Sequence, residues 1–373
     1  MVIRDRSARG VRRRRAPQAQ AAAPAPAVTG TAAGSWLVRG KDGRLTAYAP
    51  CHGGLLRWTE ARPGGPGWSG PDFFPVAGLT HLTVVQGADT YVHFLGRRQR
   101  RREDGPAAVD VVHAIQYQSA RPVTEWRSLG NPHPEPDKAL RCGAPAGAVD
   151  TAGTVHVFVP NAGGGLMMRR EGRGGRWEAW ADLRGTDVRD GLVAAVTSTG
   201  AVEVFAPAGG AALHWAQPEP GAVPQRLADI RPGPLPGTVA AMETAPGRLT
   251  CYWTDPGGSG LVCHRRGGRP VLLGGGPADG AHAVLRTALD GYDCTVLAHR
   301  GAAGAVLVGL CGTEAEQSGM WWTDTGRDCL GDPALAQDAY GRVVVAALDA
   351  HGALWTVRQA PGPGLLLGEW ARA

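Results

Sequence analysis

Lysine is nearly missing from this chain of 373 residues: Lys41 and Lys138 stand alone beside abundant arginine. With the wealth of alanine, glycine and proline, that bias points to a high-GC bacterial genome, of the actinobacterial kind, and not to a binding device. No window approaches the run of about 18 apolar residues that a membrane helix requires, so no helical membrane span is expected. The eleven histidines and seven cysteines contain no His-Glu-x-x-His or Cys-x-x-Cys spacing, which leaves no metal site to assign. There is no Gly-x-Ser-x-Gly elbow and no Walker loop, so no catalytic residue and no cofactor is assigned.

A basic body is also lacking. Arg4, Arg6, Arg9, Arg12, Arg13, Arg14 and Arg15, set against Asp5, account for the whole net charge of +6. The remaining chain is neutral, so the basic balance belongs to a tail and nucleic acid is not an expected partner. Residues 1–33 join that start to an Ala/Pro-rich stretch without apolar periodicity, and such a composition cannot bury a core. A disordered arm is favoured over an export signal, because the stretch between the arginines and the Ala-x-Ala-like sites near Ala21 to Ala27 makes a poor apolar segment. An extracellular location is expected, with a cytoplasmic one left open.

What is present in quantity is turn chemistry. Gly 56 and Pro 29 accompany 12 tryptophans and 43% hydrophobic residues, too apolar a mixture for a disordered chain. From Gly34 onward a glycine repeatedly precedes an alternating strand that ends in an aromatic. Gly43 leads to Tyr48, Gly153 to Phe158, Gly200 to Phe205 and Gly247 to Tyr252, with fainter copies at Asp89, Gly291 and Gly341. The intervals are 46, 64, 47, 47, 44 and 50 residues, and the long one holds the charged insertion 96–105. A second marker, such as Gly54-Leu55-Leu56 or Gly165-Leu166-Met167, follows about a dozen residues later, the spacing of a strand, a turn and its partner. Seven units of this period predict an all-β, seven-bladed β-propeller of four-stranded antiparallel blades over residues 34–373. One such blade hides its faces only against its neighbours, so the ring must close, and each blade reads as one continuous segment.

The segment 153–185, with Gly-Thr-Val-His-Val-Phe-Val, Gly-Gly-Leu and Arg-Trp-Glu-Ala-Trp-Ala-Asp-Leu-Arg-Gly, resembles the repeat of the seven-bladed PLL-like lectins, and Glu125 to Gly130 is a second fragment of that kind. The resemblance is sharp in blades two to four. It implies shallow pockets between adjacent blades that hold sugars, often fucose, against aromatic rings. Blade five departs, since 266–275 keeps Leu-Gly-Gly but has no tryptophan, so fewer than seven sites are expected.

Sugars suit aromatic faces because the axial C–H groups of a pyranose form an apolar patch, while the hydroxyls need a few fixed polar partners. Trp68, Trp126, Trp177, Trp180 and Trp322 are the candidate ligand-binding residues, with inter-blade packing as their competing role. Trp321 and Trp322 are strand neighbours and point to opposite faces, so at most one lines a given surface. His156, His214 and His264 fall on repeat strands, where packing is the favoured role. Cys251 with Cys263, and Cys294 with Cys311, lie on paired arms of predicted hairpins, so disulfides and reduced core thiols both stay open. The basic runs Arg12 to Arg15 and Arg97 to Arg102 read as solvated segments on loops. No intact Ser-x-Asp-x-Gly-x-x-Trp box of the sialidase kind occurs. The expectation is therefore a non-enzymatic lectin-like propeller for surface glycans, fucose-like sugars among them, acting alone or as the adhesion subunit of a larger secreted assembly. The alternative is a protein-interaction scaffold whose partners are other subunits.

Overall fold

The computed structural model of the chain describes residues 25–102, 105–278 and 280–373. The repeat folds as seven sheets, the four antiparallel strands of each coming from one continuous segment: 37–75, 79–130, 146–184, 193–226, 240–274, 283–328 and 334–372. Within every blade the four strands pair in chain order, and the first strands of the seven blades line a central channel of about 1080 Å³. The seven-bladed propeller expected from the period is what forms. The hairpins follow from their glycines. Gly43, Gly153, Gly200, Gly247, Gly291 and Gly341 turn the first strand into the second at φ of 71° to 89°, a region that favours a residue without Cβ. In blade two Thr90 takes the same role at φ 69°.

Local reading went astray in two stretches. The arginine-rich insertion is not a loop. Val92–Arg102 and Gly105–Gln116 form one long hairpin, with Arg98 opposite Asp110 and the alternate residues Val109 and Val111 buried. The alternation that buries those valines extends the ladder past the apolar core, and Arg100 ion-pairs with Asp110. The Trp-x-x-Trp segment, expected on a strand, lies mainly in the loop ahead of one. Trp177 bridges Glu171, a short 3₁₀ turn spans Arg173–Gly175, and the outer strand is Ala181–Arg184.

Closure joins blades seven and one. Face packing is present: Ala334, Ala336, Val344, Ala346, Leu348 and Leu354 share one core with Leu37, Leu45, Ala47 and Leu55. A buried ion pair adds to it, Glu60 of blade one with Arg358 of blade seven at 2.5 Å. Residues 1–24 of the expected arm, Arg12 to Arg15 among them, lie outside the described residues, but 25–33 belong to the fold. Val28 bridges Cys51, the Thr31 hydroxyl accepts from the Asp332 backbone N–H, and Ala33–Gly34 runs parallel to Thr83–Val84 as a fifth strand of blade two. Ala32 is buried there, so this small-residue stretch, too poor to build a core, is held on one built by others.

All seven cysteines are free and buried. The registers explain the missing cross-strand bonds: Cys251 faces His264 and Cys294 faces Gly312, so neither pair named from the hairpins is directly opposed.

Candidate functional site

The tryptophans mark the joints between blades. Four indole N–H groups donate across a joint to a main-chain carbonyl: Trp36 to Asp332 at 3.2 Å, Trp215 to Leu183 at 3.0 Å, Trp322 to Leu273 at 2.8 Å and Trp370 to Thr325 at 3.3 Å. A ring that fills the gap between two sheets and also satisfies a buried carbonyl seals that gap.

The five candidates share one rim, where the outer strand of each blade begins, but not one pocket. Trp68 opens the outer strand of blade one and lies half-buried on the core shared by blades seven, one and two. Trp126 precedes the outer strand of blade two and leans on Phe94, ring centres 6.2 Å apart. Trp177 and Trp180 sit together at the joint of blades two and three, packed on the cluster of Leu129, Val111 and Val157. Trp177 meets the edge of His113 at 5.3 Å. The Arg169 guanidinium lies 5.9 Å from the Trp180 ring and donates to the carbonyls of Leu129 and Glu178. Trp322 lies at the joint of blades five and six, beside His299 at 5.1 Å. Its neighbour Trp321 points the other way and is 72% exposed, the alternation a strand imposes.

Under the tryptophans lie buried histidines. His93 Nδ1 and His113 Nε2 are 3.1 Å apart. Burial holds His93 down to about 4 and His113 to about 3, and His282 likewise to about 3. An unfolded histidine titrates near 6.5, so the unfolded chain takes up protons first as pH falls, and stability is lost from about pH 6.5 down through 4 and 3. Asp332, pushed up to about 6 by burial, acts in the opposite direction over part of that window. His81, His156, His264 and His299 are held down by burial as well, and Glu171 joins Asp332 in being pushed up, so histidines outnumber carboxyls seven to two and the melting temperature is expected to fall between pH 6.5 and 4. A His113→Gln variant, measured by thermal unfolding at both ends of that range, should lose less.

One joint is built differently. The hydrogen-bond ladders place Glu203 and His214 of blade four as they place His93 and His113 of blade two, each pair offset by the same two residues across its hairpin. Above His113 stands Trp177. Above His214 no tryptophan stands, because the outer strand of blade five is Val271–Gly274. The gap is a cavity of about 170 Å³ lined by Glu203, Phe205, His214, His264, Arg248 and Arg266. Glu203 and His214 are buried and paired at 2.5 Å, and burial together with His214 holds His264 below the ordinary histidine value. Sequence reasoning placed these histidines in packing roles. The available signal was Glu203, a carboxylate at the strand position that holds Thr46, His156 and Thr250 in blades one, three and five. Among the described residues no three of His, Cys, Asp or Glu are placed to hold a metal ion.

No family model and no curated protein matches this chain. Among solved structures it is similar to the BP39L lectin from Burkholderia pseudomallei, at 16% identity over 89% of this chain and 98% of that one, with a TM-score of 0.62. It is similar to an ulvan lyase described as a new family of polysaccharide lyase, at 11% identity over 89% and 93%, with a TM-score of 0.55. A lectin from Aleuria aurantia in complex with Fucα1-6GlcNAc matches at 11% identity over 79% and 95%, with a TM-score of 0.50. The resemblance to PLL-like propellers read in the repeat is borne out in the fold. At these identities the likeness establishes architecture alone, one shared by those lectins and that lyase.

Proposed function

We propose that this chain is a non-enzymatic carbohydrate-binding propeller that holds sugars in shallow sites between adjacent blades. The observation that carries this reading is the joint of blades two and three. There Trp177 and Trp180 are half-buried at the rim, with Arg169 held beside them by two main-chain carbonyls. A ring fixed on one side and open on the other suits the apolar face of a pyranose, and a fixed guanidinium suits its hydroxyls. Trp68, Trp126 and Trp322 occupy comparable places on other blades, so several weak sites would act together on a glycan-covered surface. The lectins similar in fold support the same class of ligand, fucose-like sugars included. An extracellular setting, and a place as the adhesion subunit of a larger assembly, belong to this proposal.

On a glycan array the chain should bind a defined set of glycans, with free monosaccharide competing. Trp177→Ala should weaken that binding tenfold or more at a temperature where circular dichroism shows the variant folded. An array without signal would remove the tryptophan sites. The scaffold alternative is favoured by one feature: Tyr91, Tyr117, Tyr292 and Tyr340 are all exposed at the rim where the first and third strands end. Capture of a protein partner that survives saturating sugar would support it.

A further inference from the structure

At the joint of blades four and five Trp253 is buried in the apolar part, but no outer-strand tryptophan covers His214, and charged side chains line the gap instead. We infer that its cavity binds a carboxylate-bearing monosaccharide, a uronic acid residue, with hydroxyls on Glu203 and His264 and the carboxylate on Arg266. The inference deepens the carbohydrate reading and names the ligand class of one site.

Size comes first. About 170 Å³ corresponds to five or six waters at roughly 30 Å³ each, the scale of one sugar residue and not of an oligosaccharide. The floor is the Phe205 ring, buried and stacked on His214 at 4.4 Å, an apolar base for one face of a ring. The wall is polar and pre-organised. His214 engages Glu203 through Nε2, which fixes that carboxylate in place while its other oxygen stays available to accept from a hydroxyl. His264 completes the wall from blade five.

The mouth sets the charge of the ligand. Arg248 is held by Glu314 and Arg265 by Glu316, which leaves Arg266 without a carboxylate partner among the described residues. Arg266 is exposed in the turn between the third and fourth strands of blade five and still lines the cavity. A guanidinium at the mouth and a carboxylate at the wall match a ligand with hydroxyls at one end and a negative charge at the other. A neutral sugar would leave the guanidinium unanswered, and a bare anion would meet Glu203 unfavourably.

Calorimetric titration of the full chain with sodium D-galacturonate and sodium D-glucuronate, against D-galactose, D-glucose and sodium sulfate, tests this. At least one uronate should bind ten times more tightly than its neutral counterpart and than sulfate. Arg266→Ala should weaken uronate binding at least tenfold and leave neutral-glycan binding on the array and the melting temperature unchanged. Glu203→Gln, which keeps a hydrogen-bonding group beside His214, should weaken it severalfold. Sulfate binding as tight as uronate, or uronate binding indifferent to Arg266→Ala, would overturn the inference. The two readings fail separately. Neutral glycans bound without uronate would sink this site alone. Uronate bound with a silent array would sink the tryptophan sites and sustain this one.

Discussion

Glu60→Ala is expected to lower the stability of the propeller by about 3–5 kcal/mol, because it takes the nearer carboxylate from Arg358 and leaves two buried backbone N–H groups without an acceptor. Glu60 is fully buried and does three things at once. It pairs with Arg358 at 2.5 Å, accepts the Leu45 N–H at 2.8 Å and accepts the Gly64 N–H at 3.2 Å. The network continues through Arg358 to Asp338 at 3.7 Å, and from Asp338 to Arg342, which donates back to the Gly64 carbonyl at 2.7 Å. Blades one and seven are thus tied by alternating charges as well as by apolar faces. For a domain of this size the loss corresponds to roughly 4–7 °C in melting temperature by calorimetry. Arg358→Met should cost a similar amount, and the Glu60→Leu, Arg358→Met double variant should recover only part of it: paired removal strands neither charge of the pair, but the Leu45 and Gly64 N–H groups that Glu60 accepted stay unpaired. A single-variant shift below 1 °C would show that the ring closes without this pair.

Trp215→Ala carries the second large effect. The ring is fully buried at the joint of blades three and four, its N–H is spent on the Leu183 carbonyl, and the Arg226 guanidinium lies 5.0 Å above it. Truncation opens a cavity and orphans a buried carbonyl, together about 3–5 kcal/mol. Trp215→Phe fills most of the volume but not the hydrogen bond, so it should cost about 1–3 kcal/mol. Chemical denaturation resolves the two, and equal losses would mean that volume alone matters. The contrast with Trp177→Ala is informative. Both are inter-blade tryptophans, but a half-exposed ring is expected to affect ligand binding and a fully buried one to affect stability.

That contrast shows which parts of the candidate site were legible. Trp177, Trp180 and Trp322 stand out because only some blades keep them, and all are found at joints. Their competing role is also present: Trp322 donates to Leu273 and so seals blade five to blade six. Presence in some blades and absence in others pointed to tryptophans as the places to look. The cavity lies where a tryptophan is missing. His214 and His264 looked like packing residues because each becomes a pocket wall only when the neighbouring blade leaves a gap.

The seven blades and their hairpins could be read from the order of residues. A turn glycine and an alternation of period two act over a dozen residues, and φ near +80° at Gly153 or Gly200 is demanded locally. Three things could not be read that way: the ion pairs at the seam, the seating of 25–34 on blades one and two, and the charged cavity. Each depends on groups brought together from distant positions, Glu60 with Arg358 across 298 residues being the extreme case. A β-propeller repeats what holds each sheet together and varies what meets between sheets. The repeated part is therefore visible in one strand of text, and the varied part becomes visible only when the ring is closed.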